Sequence, residues 1–290
     1  MRHIVTQDKN QHEPNTNRAV MIKVTDDLKQ TLQYRTEPKR IVSLTPSSTE
    51  TICTLGARER LVGVTKYCVH PQDIRASVMV VGGTKAIDIN LIKSLQPDLI
   101  VANAEENTTE IFEQIHALKV PLYVAFPKSV DGAIDDLLRM GNLLGAPDKA
   151  MAIAKQINTQ RSPDNSETFK YAYLIWNKPY MAVNQDTFIN HMLSEIGGIN
   201  VFGKSPDRYP KITKDMLIEG KPNLVLLSSE PFPFKEKHRH KIASEIGMAL
   251  EQIQFIDGEM CSWHGVRMVQ AFNYLRSWKQ SFLSKADGME

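Results

Sequence analysis

The chain has 290 residues, of which 42% are hydrophobic and 23% charged, and its formal net charge is +2. This composition is ordinary for a globular protein and supplies ample material for a core. The small net charge and the lack of a long Lys/Arg cluster argue against a nucleic-acid partner. No apolar run is long enough for membrane insertion.

The N-terminus, MRHIVTQDKNQHEPNTNRAV, is polar and lacks the apolar segment of a secretory signal. We expect residues 1–20 to be disordered and the protein to be cytoplasmic as the sequence stands. If the true start or a signal is missing from this sequence, we expect the protein to be periplasmic instead. The three cysteines, Cys53, Cys68 and Cys261, give no even disulfide framework, and reduced thiols fit the cytoplasm.

The first half of the chain alternates short apolar strands with helices. Residues 21–36 are predicted to add a strand and a short helix, because Val24, Leu28 and Leu32 recur among polar residues. Strands are predicted at Ile41–Thr45, Leu61–Thr65, Val78–Val81, Leu99–Ala102 and Pro121–Phe126. Because each is a continuous apolar run, the pattern indicates a parallel sheet covered on both faces.

The first helix of this half is predicted from its turn and capping residues. Pro46–Ser48 is expected to form a turn, and Thr49–Leu55 a helix capped by Ser47 or Ser48. Glu50 would then lie in the first turn, where the helix dipole favours an acid.

Two consecutive helices are predicted near the midpoint. Apolar residues at helical spacing run from Ala133 to Leu144, and Gly145 suits the end of that helix. Pro147 suits the first position of a second helix, which extends to about residue 160. The first helix completes the first lobe, and the second connects it to the rest of the chain.

Strand and helix alternate again after this point. The second half is predicted to contain a hairpin, Lys170–Trp176 with Tyr180–Val183, a helix at Thr187–Ile196, a short helix capped by Thr213, strands at Leu224–Leu227 and Ile253–Ile256, and a long helix from about Val266.

The two halves contain similar segments. Residues 96–105, QPDLIVANAE, match residues 221–230, KPNLVLLSSE, with a carboxylate two residues past each strand. A second pair of similar segments, residues 51–57 and 189–198, precedes the first pair in both halves, so the order is the same. A two-copy pattern indicates duplication rather than a solenoid.

The expected fold is therefore α/β, with two Rossmann-like lobes, mainly parallel sheets and a single bridging helix. The predicted divisions are an N-terminal extension at 1–36, lobes at 37–146 and 163–290, and the bridging helix at 147–162. Ligands of such sheets bind at the carboxyl ends of the strands, which places the site in the cleft between the lobes.

The loops that follow the strands contain the candidate ligand-binding residues. They are Tyr67, Cys68, His70, Lys85, Glu105, Glu106 and Asn107 in the first half, and Trp176, Tyr180, Asp186, Arg208, Tyr209, Glu230, Phe232, Trp263, His264 and Arg267 in the second. The aromatic residues suit a flat organic ligand, and the arginines suit carboxylates. The alternatives are core packing for the aromatics, surface ion pairs for the arginines and helix capping for Glu105 and Glu230.

A protein-bound metal is a second hypothesis. Cys68 with His70, and Cys261 with His264, each place a thiol and an imidazole close together, which suits a soft or borderline metal. Such pairs are more often coincidental, and cysteine is often simply buried. The sequence contains no GxSxG, Walker A, GxGxxG or HExxH motif, so no catalytic residues are predicted.

Several segments of the sequence resemble a known protein family. RIVSLTPSSTE at residues 40–50, Gly63, Gly82-Gly83, Pro97–Ile100 and the mid-chain helix are similar to the helical-backbone metal receptors. These are the substrate-binding proteins of ABC importers for vitamin B12, haem and ferric siderophores, and the resemblance extends from about Arg40 to Trp278. It implies a metal chelate between two lobes, and transporter docking by Glu105 and Glu230.

We therefore expect a non-enzymatic binding protein for a corrinoid-, haem- or siderophore-like chelate or macrocycle, with an ABC transporter permease as partner. The sequence specifies no cofactor, and a bound metal ion or metal chelate is the candidate ligand. One rival is a cytoplasmic metal-binding protein or metalloenzyme that uses Cys68, His70, Glu105, Cys261 and His264. Another is an interaction protein whose cleft is vestigial.

Overall fold

The computed structural model describes residues 21–161 and 167–286, without the side chains of residues 283–286. The expected disorder of residues 1–20 lies outside these ranges. The strands are β1 (Ile22–Thr25), β2 (Thr31–Tyr34), β3 (Ile41–Ser43), β4 (Leu61–Val64), β5 (Met79–Val80), β6 (Leu99–Asn103), β7 (Leu122–Ala125), β8 (Phe169–Asn177), β9 (Tyr180–Ala182), β10 (Gly198–Asn200), β11 (Lys211–Ile212), β12 (Leu224–Ser228) and β13 (Ile253–Ile256).

The α-helices are α1 (Pro46–Thr54), α2 (Ile74–Ser77), α3 (Ile89–Ser94), α4 (Thr109–Ala117), α5 (Val130–Leu143), α6 (Pro147–Gln160), α7 (Phe188–Ser194), α8 (Lys214–Gly220), α9 (Glu236–Ile246), α10 (Gly258–Ser262) and α11 (Met268–Ala286). None of the helices in the described ranges is long and apolar enough to cross a membrane.

The N-terminal lobe is built on a parallel sheet with strand order β5-β4-β3-β6-β7. Every residue of β3, β6 and β7 is buried. The continuous apolar runs therefore correspond to strands covered on both faces, as predicted.

The C-terminal lobe contains a mixed sheet with order β11-β9-β8-β12-β13, and β10 pairs with β8. The pairs β8–β12, β12–β13 and β8–β10 are parallel. Strand β9 returns antiparallel to β8, which confirms the predicted hairpin. The two-lobed α/β fold expected from the sequence is therefore present.

Helix α6 lies between α5 of the first lobe and α11 of the second. A Cβ at Gly141 would lie 2.3 Å from the Cβ of Ala150, so the glycine permits the close approach of α5 and α6. One hydrophobic cluster runs through both lobes and includes Ile153, Ala154 and Ile157 of α6. The connection between the lobes is thus part of the core rather than a free linker.

The prediction for residues 21–36 is wrong in one part, because β1 and β2 form an antiparallel hairpin without a helix. Val24 and Leu32 are buried at alternate strand positions, whereas Leu28 is exposed in the turn. Lys29 adopts a positive φ of 65°, and the Asp26 carboxylate accepts a hydrogen bond from the Gln30 amide. The turn residues and the alternation of buried and exposed strand positions therefore determine the structure of this segment.

The predicted turn at Pro46–Ser48 is also wrong. These residues form the first turn of α1, with Pro46 at the first position and Thr45, rather than Ser47 or Ser48, as the N-cap. Glu50 consequently lies beyond the first turn. Its carboxylate pairs with Arg267 of the other lobe.

The repeated segments have matching backbones. Gln96 and Lys221, at the start of the two copies, both adopt a left-handed conformation, with φ values of 48° and 46°. The Asp98 amide donates to the carbonyl of Arg40, just before β3, at 2.9 Å, and the Asn223 amide donates to the carbonyl of Lys170, near the start of β8, at 2.8 Å. The duplication inferred from the sequence therefore extends to local hydrogen bonding.

Candidate functional site

The two repeated strands end in the same kind of turn. The Asn103 side-chain oxygen accepts from the Glu105 amide at 2.7 Å, and the Ser228 hydroxyl accepts from the Glu230 amide at 3.3 Å. Each turn presents a glutamate just beyond the carboxyl end of a central strand. The strand ends of the two lobes meet, and side chains from both lobes contact one another there.

One set of contacts between the lobes is partly open to solvent. Arg208 donates from Nη2 to Oε2 of Glu105 at 2.6 Å, and Lys128 Nζ lies 2.7 Å from Oδ2 of Asp186. The four side chains are 25–46% exposed. The guanidinium of Arg208 also lies 4.8 Å from the ring centroid of Phe126. We call these two ion pairs the exposed cross-lobe contact.

A second set of contacts is buried. His264, which follows α10 in the C-terminal lobe, is 5% exposed and reaches into the N-terminal lobe. Its Nε2 lies 3.0 Å from Nδ2 of Asn103 and 3.3 Å from the Ser47 hydroxyl, and its Nδ1 lies 3.6 Å from Oδ2 of Asp136. We call these four residues the buried cross-lobe contact.

The hydrogen bonds determine the protonation of His264. The side-chain oxygen of Asn103 is occupied by the Glu105 amide, so its Nδ2 group donates to the imidazole. Nε2 must then be an unprotonated acceptor, and the proton lies on Nδ1, towards Asp136. Burial also lowers the pKa of His264. The imidazole is therefore neutral in the folded protein.

Residues 265–267 extend the buried region along α1. Gly265 has a φ of +81°, and a Cβ there would lie 2.3 Å from Oγ1 of Thr51. Arg267 is 5% exposed, and its Nε donates to Oε2 of Glu50 at 2.9 Å. Its Nη2 also lies 2.9 Å from Oε1, although that group is not aligned for a hydrogen bond. Charge pairing and close packing thus join the lobes at the same place.

His70 and Trp263 meet beside this region. Nε2 of His70 lies 3.0 Å from Oε2 of Glu259, and the His70 and Trp263 rings pack edge to face, with centroids 5.6 Å apart. Arg267 lies 5.1 Å from the Trp263 ring. His70 comes from the N-terminal lobe and the others from the C-terminal lobe.

Glu106 and Glu230 approach from opposite lobes. Burial raises the pKa of both carboxyls, and the negative charge of Glu106 contributes to the shift of Glu230. The Glu106 side chain is nevertheless exposed to solvent. Tyr209 lies beside Glu105, and burial raises its pKa. Glu105, Glu106, Arg208, Tyr209 and Glu230 thus form one neighbourhood.

Other predicted candidates lie elsewhere. Cys68 is buried against the hydroxyls of Thr49 and Thr65, and burial raises its pKa. Cys261 is buried beside Tyr173, and its pKa is also raised by burial. Asn107 is buried and bonds the backbone of Thr84 and Asn103. These three side chains are buried and have partners within their own lobes.

The structure does not bring Cys68, His70, Cys261 and His264 together as a metal centre. Each has its own partners, as described above. Across residues 21–161 and 167–286, no group of three or more His, Cys, Asp or Glu side chains is arranged to hold a metal ion.

Several aromatic candidates pack on the outer side of the C-terminal lobe. Trp176 packs edge to face on Phe232, with centroids 5.6 Å apart. Phe232 and Tyr180 pack against the cluster that α9 covers, and the Tyr180 hydroxyl donates to Glu245 of α9. In the N-terminal lobe, the Tyr67 ring is exposed, and the Lys66 ammonium lies over it. Lys85 is also exposed, and its charge lowers the pKa of Glu106.

The predicted site residues did not include several side chains that contact the other lobe. Among them are Ser47, Glu50, Asn103, Lys128, Asp136 and Glu259. Asp136 had a detectable signal, since it lies on the apolar face of α5 between Ala133 and Met140. A carboxylate in that position needs a buried partner.

A family model described as "Periplasmic binding protein" matches residues 41–254. The chain belongs to this family of binding proteins. The family assignment confirms the resemblance to helical-backbone metal receptors and removes support for the metalloenzyme alternative.

Curated relatives include the vitamin B12-binding protein of Yersinia pestis (strain Pestoides F). It is 27% identical over 195 residues, which cover 66% of this chain and 69% of that protein. The same values hold for the vitamin B12-binding protein of Yersinia pseudotuberculosis serotype O:1b (strain IP 31758).

Solved structures share the fold. The periplasmic vitamin B12-binding protein of Vibrio cholerae has a TM-score of 0.72 at 20% identity, covering 85% of this chain and 98% of that one. A periplasmic haem-binding protein from Roseiflexus sp. RS-1, in apo form, has a TM-score of 0.73 at 22% identity, covering 84% and 97%. An Fe³⁺-hydroxamate transport protein from Saccharomonospora viridis has a TM-score of 0.72 at 15% identity, covering 88% and 97%.

Proposed function

We propose that this protein binds a metal chelate or macrocycle of the corrinoid, haem or siderophore class in the cleft between its lobes. The observation that supports this best is the convergence of Glu105, Glu106, Arg208, Tyr209 and Glu230 at the strand ends of both lobes. Ligands of α/β sheets bind at this edge. Relatives named for vitamin B12 binding support the ligand class.

Ligand entry requires the exposed cross-lobe contact to open. Arg208 and Glu105 meet directly across the cleft, so a ligand between them must separate the pair. Both side chains are partly exposed, so separating them costs little free energy, because exposed ion pairs contribute at most about 1 kcal/mol to stability. The buried contact and α6 stay in place, so closure is a small movement.

The test is titration of the purified protein with cyanocobalamin, haemin and a ferric hydroxamate, followed by calorimetry and absorbance. We expect saturable one-to-one binding of at least one chelate. Replacing Arg208→Ala changes the association rate, whereas Arg35→Ala, at an exposed residue of the N-terminal hairpin, leaves it unchanged. Equal rates for the two variants would contradict entry at this contact.

The direct contacts across the cleft also favour a second candidate, an interaction protein that takes no small ligand. It predicts that none of the three chelates binds and that Arg208→Ala does not create binding. Saturable binding of any one of them rejects this candidate.

Delivery to an ABC transporter permease is part of the proposal if the protein works in the periplasm, where the named relatives are found. The thiols of Cys53, Cys68 and Cys261 are free, which favours a reducing compartment and a cytoplasmic chelate carrier. Glu105 pairs with Arg208, and Glu230 accepts hydrogen bonds from Ser262 and Trp263, so transporter docking by these two glutamates stays a prediction. Cell fractionation with antibodies against the protein decides between the two compartments.

A further inference from the structure

The carboxylate of Glu230 is held by one of its two oxygens. Oε1 accepts hydrogen bonds from the Ser262 hydroxyl and the Trp263 indole, each at 2.9 Å. Within the described part of the chain, Oε2 accepts no hydrogen bond. Two donors on the same oxygen restrict rotation of the carboxylate, so the free oxygen has a fixed position.

The backbone is shaped around this side chain. A Cβ at position 258 would lie 2.5 Å from Cγ of Glu230, so Gly258 provides the space that Glu230 occupies. Gly258 is the first residue of α10, the helix that also supplies Ser262. One short segment therefore makes room for the glutamate and orients it.

The charges around Glu230 leave it without a cation. Burial is the largest cause of its raised pKa, and the negative charges of Glu259 and Glu106 add to the effect. No lysine or arginine of the described residues forms an ion pair with it. Because Glu106 belongs to the other lobe, a carboxylate acts on Glu230 from across the cleft, and Lys85 is the cation near that carboxylate.

A fixed acceptor in such surroundings discriminates between ligands by charge. A ligand N–H or cation gains a charge-assisted hydrogen bond, which is stronger than a neutral one. A ligand carboxylate at the same place meets like charge and loses its hydration.

We propose that Glu230 is a specificity-determining residue of the cleft. Its free oxygen accepts a hydrogen bond from amide N–H or ammonium groups on the ligand. The cleft therefore prefers a neutral or cationic chelate with an amide fringe to one fringed by carboxylates. This inference rests on the proposed chelate-binding function and narrows its ligand class.

The variant Glu230→Gln reverses the polarity at this position. Ser262 and Trp263 both donate, so they orient the amide oxygen towards themselves. The amide –NH₂ group then occupies the place of the free oxygen. The matched control is Glu219→Gln, because Glu219 is an exposed residue of α8 in the same lobe.

Binding of cyanocobalamin, which carries peripheral amides, is compared with binding of haemin, which carries two propionates. We expect wild type to bind cyanocobalamin more tightly. Glu230→Gln should weaken that binding by about tenfold to a hundredfold, as for loss of a hydrogen bond to a charged group. It should also strengthen haemin binding, while Glu219→Gln changes neither. The dissociation constants come from calorimetry, and thermal unfolding confirms that the variants fold.

The outcomes separate this inference from the proposed function. Tighter binding of haemin than of cyanocobalamin by wild type, which needs no variant, overturns the inference and leaves chelate binding intact. So does unchanged cyanocobalamin binding by a folded Glu230→Gln variant. Failure of wild type to bind any chelate overturns the proposed function and this inference with it.

Discussion

The two cross-lobe contacts join the same lobes with opposite designs. The exposed contact consists of long charged side chains that face solvent, Arg208 with Glu105 and Lys128 with Asp186. The buried contact consists of a neutral imidazole, an amide, a hydroxyl and a carboxyl group packed beside the apolar core. Solvent can replace the partners of the first, but not those of the second.

This difference divides the interface into a part that can open and a part that cannot. Separating Arg208 from Glu105 costs little, because water takes over both charges. Removing the His264 imidazole leaves Nδ2 of Asn103 without its acceptor and takes away the neighbour of Oδ2 of Asp136 in the interior, which is costly. The lobes are therefore joined firmly at the buried side and loosely at the exposed side.

The largest effect is expected for Gly265→Ala, which places a Cβ against Thr51 at a positive φ. We expect a loss of about 3 kcal/mol in the free energy of unfolding, from overpacking and backbone strain together. The measurement is urea denaturation.

The matched control for this variant is Gly56→Ala. Gly56 also has a positive φ, +94°, but nothing lies within 4 Å of the added Cβ. Gly56→Ala should lower the free energy of unfolding by about 1 kcal/mol, from backbone strain alone. Equal losses at the two positions would show that close packing of Gly265 on Thr51 is unimportant.

The next effect is the pH dependence caused by His264. Burial lowers the pKa of the folded group, although the charges of Asp136 and Asp27 oppose this. Unfolding therefore takes up a proton below the ordinary histidine pKa of about 6.5, and the free energy of unfolding falls as the pH decreases. In His264→Gln this contribution disappears.

We expect the stability advantage of wild type over His264→Gln to shrink by about 1 kcal/mol between pH 7.5 and pH 5.5. His116→Gln, at an exposed position on α4, is the control and should show no such change. An advantage of wild type that grows on acidification would mean that a charged His264 paired with Asp136 is the stable form.

A smaller effect is expected at Arg208 and Glu105. In a double-mutant cycle with Arg208→Ala and Glu105→Gln, the coupling free energy should be below about 1 kcal/mol, because both side chains reach solvent. A coupling of several kcal/mol would place this pair in the class of the buried contact, and the proposed opening would fail.

The smallest effect is expected for Lys128→Ala. Lys128 and Asp186 are the most exposed members of the exposed contact. The loss of stability should be about 0.3 kcal/mol at low salt and should vanish near 0.5 M salt, where charges are screened. Chemical denaturation at two salt concentrations measures it, and a loss that salt does not change would argue for a packing role.

The sequence predicted the repeated strands because their signals are local. The apolar runs after Pro97 and Pro222, and the proline and glycine residues around α6, specify elements within a few positions. Apart from Asp136, whose place on the apolar face of α5 calls for a buried partner, the cross-lobe contacts have no local signal, since His264 meets Asn103 and Asp136 only after both lobes have folded. The cysteine and histidine spacings were misleading for the same reason, because neighbours in sequence pointed to different partners.

The N-terminal hairpin has a consequence for how copies of the protein behave in solution. Strand β7 is at the edge of its sheet. The turn of the hairpin covers the backbone groups on the side of β7 that has no neighbouring strand. The carboxylates of Asp26 and Asp27 accept from the amides of Val124 and Phe126, and the Asp27 amide donates back to the Val124 carbonyl. The family match begins at residue 41, so this cover lies outside it. Without residues 21–36, β7 would present an unpaired strand to other molecules, and self-association would follow.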